Sequence, residues 1–190
     1  MKKVSFLLCL VFYMINSYAQ IQFGLKAGYN LSSLINSGTN FNSNQKSKSG
    51  FNAGVFGSIP LFKSFVLQPE IYYSEQGSQS QDSSAKTNYN YLNIPLLFKY
   101  QHSSGIFIET GPQLGFLLNS NYKSGTYTQD LKSVSNSADF SWIIGAGYKI
   151  SPLNLGLDIR YNYGITNVTT YKIITSKNSV FQVDLFYLFN

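Results

Sequence analysis

The chain has 190 residues, enough for one domain with a sizeable interior, and a formal net charge of +6 from 14 basic and 8 acidic residues. Only 12% of the residues are charged and 16% are aromatic, whereas an ordinary soluble domain is about 25% charged. The positive charges are few and scattered, which excludes the clustered basic footprint of a nucleic-acid-binding protein.

Residues 1–19 have the pattern of an export signal: a basic start, the apolar run VSFLLCLVFYMI, and small residues at positions 17 and 19. We predict cleavage after Ala19 and a mature domain over residues 20–190. The alternative, an N-terminal membrane anchor, is disfavoured because the apolar run is shorter than the roughly 20 residues that a spanning helix needs. Cys9, the only cysteine, lies within the signal, so the mature chain has no thiol chemistry.

Apolar and polar residues then alternate in eight segments, as expected for strands with one apolar face. In chain order, the predicted strands are residues 21–31, 51–59, 65–75, 90–100, 106–118, 139–150, 155–164 and 179–189.

The connections between these strands alternate in length. Those after the first, third, fifth and seventh strands are long and polar, and the others are short; the long ones cover about residues 32–49, 76–88, 119–138 and 165–178. Tight turns at one end and long loops at the other are typical of an outer-membrane barrel. The sequence therefore predicts an all-β fold, an eight-stranded antiparallel up-and-down transmembrane β-barrel, with mobile loops at one rim.

The mid-strand charges decide which face is outside. All eight lie on the face opposite the apolar residues, four of each sign: Lys26, Glu70, Lys99, Glu109, Lys149, Asp158, Arg160 and Asp184. A soluble barrel would have to bury the apolar face, but an eight-stranded barrel has room inside for few large side chains. In a membrane barrel that face contacts hydrocarbon, and the charges form a structural network inside, with glycines on the polar face making room for the long polar groups.

Three prolines interrupt the pattern. Pro69, Pro95 and Pro112 lie within predicted strands, and a closed barrel has no free edge at which a missing amide hydrogen is harmless. We expect bulges or local breaks at these positions; if two of these strands ended there, the count of eight would be wrong.

Six segments follow one another along the mature chain: FGLKAGYNLSSL, LQPEIYYSEQG, YLNIPLLFKY, IETGPQLGFLL, IIGAGYKI and LDIRYNYGITNV. In these segments and in their order, the chain resembles the PorT-like outer-membrane β-barrel proteins of Bacteroidetes-type bacteria. The resemblance implies a small barrel with an N-terminal signal. It implies no particular activity, because the family is functionally mixed.

The sequence offers little chemistry. Glu70, Glu109, Asp158 and Arg160 could form a paired-carboxylate site, but a salt-bridge network in a narrow lumen is favoured because buried ions need partners. His102, the only histidine, stands in the turn-like segment QHSSG without an orienting acid. We expect no catalytic residue, cofactor or metal site.

We therefore expect a non-enzymatic protein of the bacterial outer membrane, with a plugged lumen and loops that bind a partner or support envelope integrity or secretion. The alternatives are a small passive channel and, less favoured, a lipid-modifying enzyme of the outer leaflet, with Asp82, Asp130 or Asp139 at the loop rim. The expected partners are outer-membrane lipid and lipopolysaccharide, the barrel-assembly machinery, and an unknown extracellular or secretion partner, but not nucleic acid.

Overall fold

The structure, a computed structural model, describes residues 21–37, 45–82, 84–170 and 175–189. The export signal predicted at residues 1–19 lies outside them. Within the described residues, no helix is long and apolar enough to cross a bilayer. The strands are β1 Gln22–Ser37, β2 Gln45–Phe62, β3 Phe65–Ser80, β4 Ala85–Gln101, β5 Ile106–Ser124, β6 Tyr127–Asp130, β7 Ala138–Ile150, β8 Leu155–Gly164 and β9 Thr175–Leu188, with 3-10 turns at Lys132–Val134 and Ser151–Leu153.

Eight of these strands close into an antiparallel barrel. In the ring, each of β1 to β4 pairs with the next strand, β5 pairs with β7, β7 with β8, β8 with β9, and β9 with β1. The short β6 forms a hairpin with the end of β5 and takes no part in closure. The predicted eight-stranded up-and-down barrel is confirmed.

The strands are longer than predicted at the loop rim, so the loops are shorter. β1 ends at Ser37 and β2 begins at Gln45. Only residues 81–84 separate β3 from β4. The fifth connection contains β6, which the sequence did not predict. Because these extensions are rich in Ser, Asn and Lys, their side chains show no alternation of apolar and polar residues. They are strands nevertheless, because their backbones pair with the neighbouring strands.

The apolar residues of the strands point outward. On β8, Leu157 and Ile159 are 40% and 43% exposed, whereas their neighbour Arg160 is 1% exposed. The whole strand alternates exposed and buried from end to end. The same alternation on the other strands puts an apolar belt around the outside and the polar face in the lumen.

The three prolines interrupt pairing without ending their strands. Pro69 lies opposite Leu96 on β4, and Pro95 lies opposite Gln113 on β5, so the prolines follow a diagonal across three adjacent strands. Pairs are missing beside them, but the register is the same on both sides. The expected local breaks are present and the expected bulges are not; shifts in register occur elsewhere, between Ser47 and Asn52, between Pro60 and Phe62, and between Asn90 and Tyr91.

Replacing Ile159 by lysine tests the outward face. We expect Ile159→Lys to lower the free energy of unfolding by about 2–4 kcal/mol, because it places a cation at mid-depth in hydrocarbon. Leu155→Lys, on the same face at the end of the same strand, should cost about 0–1 kcal/mol. Urea unfolding in lipid vesicles, followed by the fluorescence of Trp142, the only tryptophan, measures both; equal losses would contradict the assignment.

Candidate functional site

The centre of the lumen holds a layer of ionised side chains. They come from six strands, because each inward position of the barrel faces the same narrow space. Seven of the eight charges expected inside lie in this layer and are buried; they are Lys26, Glu70, Lys99, Glu109, Asp158, Arg160 and Asp184.

Arg160 is the hub of this ion network. Its Nη1 and Nη2 each donate a hydrogen bond of 2.8 Å to the two oxygens of Glu70. Its Nη2 also lies 3.0 Å from Asp158 Oδ2, and its Nε lies 2.5 Å from Glu109 Oε1. Arg160 is on β8 and Glu70 on β3, which stand on opposite walls of the ring, so their bidentate pair crosses the whole lumen.

Lys26 neutralises the other side of the layer. Its Nζ lies 2.7 Å from Asp184 Oδ2 and 3.3 Å from Glu70 Oε2. Asp158 and Asp184 are direct cross-strand partners on β8 and β9, a pairing that is unfavourable for two like charges. Each has its own cation, Arg160 for Asp158 and Lys26 for Asp184, and this makes the pairing tolerable.

The lysines of the short-turn end differ from one another. Lys99 lies opposite Glu109 in the ladder, with its Nζ 3.2 Å from Glu109 Oε2 and 3.9 Å from the ring centroid of Phe107. Lys149 lines the same recess as Lys99 but is only partly buried. Among the ion pairs of the described residues, none includes Lys149.

Sequence reasoning missed an apolar layer inside the barrel. Below the ions, towards the short turns, the lumen is filled by Phe56, Phe107, Phe186 and Leu188. Their positions on the polar face were the only available signal, because their residue type is that of the outer belt.

Three of the inward glycines, Gly24, Gly147 and Gly156, make room for aromatic rings. A Cβ at Gly156 would lie 2.2 Å from Phe186 Cζ, and one at Gly147 would lie 2.4 Å from Phe107 Cζ. Space for a long polar chain, which the sequence predicted, occurs at Gly145, where a Cβ would lie 3.0 Å from Arg160 Cγ.

Above the ions lies a layer of amides. Asn30 Oδ1 accepts hydrogen bonds of 2.9 Å from both Asn52 and Gln182. Asn52 also donates to Asp184 Oδ1 at 2.7 Å, and Tyr72 donates to Gln113 on the opposite side. The amide layer is thus hydrogen-bonded both to itself and to the ion network.

The loop end of the lumen is closed by a second apolar cluster. Tyr89, Tyr91 and Leu117 from β4 and β5 pack with Val168, which belongs to the connection after β8. Val168 is 2% exposed, and its amide donates to Ser176 O. This connection therefore folds inward over the lumen.

The external connections are tied to one another. Asn136, between β6 and β7, donates to the carbonyls of Asn167 and Thr169, and Ser135 forms an isolated bridge with Thr169. Asp139 accepts hydrogen bonds from Thr166 and Asn178. Two of the loops predicted to be mobile are joined at these points.

The other candidate chemistry is dispersed. His102 lies in the short turn after β4, where its Nδ1 is 2.9 Å from Ser104 Oγ; this turn is at the end of the barrel away from Asp82, Asp130 and Asp139. Within the described ranges, no group of three or more His, Cys, Asp or Glu side chains could hold a metal ion.

Comparison with known proteins agrees with this architecture. A family model described as "Outer membrane protein beta-barrel domain" matches residues 16–170. Among solved structures, Neisserial surface protein A has a TM-score of 0.60 at 15% identity, over 88% of this chain and 97% of that one. The attachment invasion locus protein Ail of Yersinia pestis has a TM-score of 0.50 at 14% identity, over 88% and 98%. No curated protein matches the sequence.

Removing the hub of the network should destabilise the barrel strongly. Arg160→Met leaves Glu70, Glu109 and Asp158 without their shared cation, and we expect the free energy of unfolding to fall by about 3–5 kcal/mol. The control is Lys48→Gln, which breaks the pair between the buried Lys48 and Glu75, whose side chain is 29% exposed. It should cost less than Arg160→Met, because water reaches the one carboxylate that is left without its cation. Urea titration in vesicles compares them, and similar losses would contradict a central role for Arg160.

Proposed function

Because the chain belongs to the family of outer membrane protein beta-barrel domains, we propose that it is a non-enzymatic barrel that keeps its lumen closed and works through its external rim. The family and the fold place the protein in the bacterial outer membrane. The proposal concerns what it does there.

One observation carries the closed lumen: the Arg160–Glu70 pair spans the barrel from wall to wall. The side chains of both residues are 0% exposed. Separating them would leave two ions in a low-dielectric interior, which is far more costly than breaking a surface pair. Aromatic rings below and amides above fill the rest of the cross-section, so the path for water or ions is blocked at several depths.

A closed lumen leaves the rim as the surface that can meet a partner. Short turns face the periplasm and long connections face outward in outer-membrane barrels. Here two of the outward connections are held, by the bonds of Asn136 and by the inserted Val168. A rim ordered in this way presents a defined surface to an extracellular or secretion partner, which supports a binding or envelope role.

Within the family, the six sequence segments that resemble the PorT-like proteins support placement in that group. Every network residue except Asp184 lies within those segments: Lys26, Glu70, Lys99, Glu109, Asp158 and Arg160. We assign these residues a structural role. Biogenesis through the barrel-assembly machinery belongs to the same proposal.

Conductance tests the closed lumen. Purified protein in planar lipid bilayers should give no reproducible current steps, because Glu70 and Arg160 block the pore. A variant with Glu70, Arg160 and Phe186 all replaced by serine serves as the positive control and should conduct, provided that it still changes gel mobility on boiling. Regular steps from the unaltered protein would instead support a passive channel.

Replacing the rim tests where the function lies. We exchange residues 125–137 and 165–170 for short Gly-Ser turns and return the gene to a deletion strain. The barrel should still insert, because the eight strands that close it are intact and only the hairpin strand β6 is removed, but partner capture or envelope resistance should be lost. The control exchanges the short turn at residues 151–154 in the same way. Full complementation by the rim variant would contradict the proposal.

A further inference from the structure

Three lysines at the loop rim form a row on the outside of the barrel. Lys46 on β2 is the direct cross-strand partner of Gln79 on β3, Gln79 of Lys86 on β4, and Lys86 of Lys123 on β5. Direct partners share one face of a sheet. Lys46, Lys86 and Lys123, named here the rim lysines, are all exposed.

The row faces away from the lumen. Tyr89 on β4 and Ser120 on β5 are cross-strand partners, and both are buried on the inside. Lys86 and Lys123 each lie three residues further along the strand, on the opposite face of the pleat. The lysine side chains therefore leave the wall on the side of the lipid leaflet.

The height of the row above the hydrocarbon determines which lipid headgroups can reach it. The outward apolar residues of β4 end at Leu92, and Lys86 lies about six residues beyond it, which is about 20 Å of strand. A tilt of about 40° reduces this to about 15 Å above the hydrocarbon. The headgroup layer of a simple phospholipid is only about 5–8 Å thick. A lipid with a thick, saccharide-containing headgroup is needed to reach the row.

No carboxylate is a direct cross-strand partner of a rim lysine. No ion pair among the described residues includes a rim lysine. Asp82 lies in the turn above the row, where hydrogen bonds from Ser80 and Ser84 lower its pKa to about 2. Asp130 lies opposite Asn121, one pair nearer the bilayer than Lys123, and accepts a hydrogen bond from the amide of Lys132. Lys86 and Lys123 face each other directly, which is unfavourable without an anion between them.

We propose that the rim lysines bind the phosphate groups of a phosphorylated glycolipid in the outer leaflet. Lysine ammonium groups attract phosphate as point charges. One step closer to the bilayer, Asn88 donates a hydrogen bond of 2.8 Å to Asn121 on the same outer face. These amides lie where they can bind saccharide hydroxyls, so the row and the amides together match a sugar phosphate attached to acyl chains.

Binding of a rough lipopolysaccharide with a phosphorylated core tests the site. The full chain is folded in zwitterionic micelles and titrated by microscale thermophoresis. Lys86→Gln with Lys123→Gln should weaken binding about 30-fold, or about 2 kcal/mol, because each basic side chain near an anionic surface contributes about 1 kcal/mol. Lys46→Gln should weaken it further.

A matched double variant controls for net charge. Lys63→Asn with Lys177→Gln removes two charges elsewhere: Lys63 lies in the turn between β2 and β3, and Lys177 on β9, at the opposite wall. Its affinity should stay within about twofold of the unaltered protein. Retained heat-dependent gel mobility shows that each variant is folded.

Titrations with other ligands test whether the site needs phosphate on a glycolipid or accepts any anion. Loss of binding on dephosphorylating the lipopolysaccharide would support the site. Unchanged affinity of the rim variant would overturn it. Equal dependence on the rim lysines for inorganic pyrophosphate, phosphatidylglycerol vesicles or a soluble acidic polysaccharide would also overturn it, because the ligand would then not be a phosphorylated glycolipid.

Discussion

The width of the lumen governs this structure. Eight strands closed on themselves leave an interior just wide enough for side chains, so each inward residue packs against one from another wall. Arg160 and Glu70 are in contact across the barrel because the lumen is narrow. Phe186 can pack over Gly156 because glycine has no methyl group that would overlap the aromatic ring. Buried ion pairs are weak evidence for net stability. Here the ion pairs let charged side chains fill the lumen, because the apolar side chains of the strands face the lipid.

The sequence was sufficient for the wall of the barrel and for the residues of the ion network. A strict period of two fixes which face a residue occupies, and the confinement of Lys26, Glu70 and Arg160 to one face identifies that face as the inside. The contacts between them could not be predicted, because they depend on the stagger of the strands around the ring. That Arg160 contacts both Glu70 and Glu109 depends on the register of the strands to within a few residues, and no pattern within a single strand encodes it.

Two parts of the structure were not predicted from the alternation of apolar and polar residues. Phe56, Phe107 and Phe186 share their residue type with the outer belt, so only their parity distinguished them from lipid-facing aromatics. The rim extensions of β1 to β5 contain few apolar residues and were predicted as loops, although backbone pairing continues through them. Pro69, Pro95 and Pro112 are the converse case: each removes a donor, yet the ladder resumes in the same register, because the neighbouring pairs in a closed ring hold the strands in place.

Charge is treated differently at the two ends of the same wall. In the lumen, where the network is buried, each carboxylate of the network lies within about 3 Å of a lysine or arginine. At the rim, Lys86 and Lys123 face each other across neighbouring strands, and their other direct partners are Gln79 and Thr128. Asp130 lies one pair nearer the bilayer and forms no ion pair with them. Ion pairs within the protein therefore form in the buried lumen and are absent at the exposed rim lysines. The uncompensated lysines therefore lie where the environment itself supplies anions, above the hydrocarbon and on the lipid side of the wall.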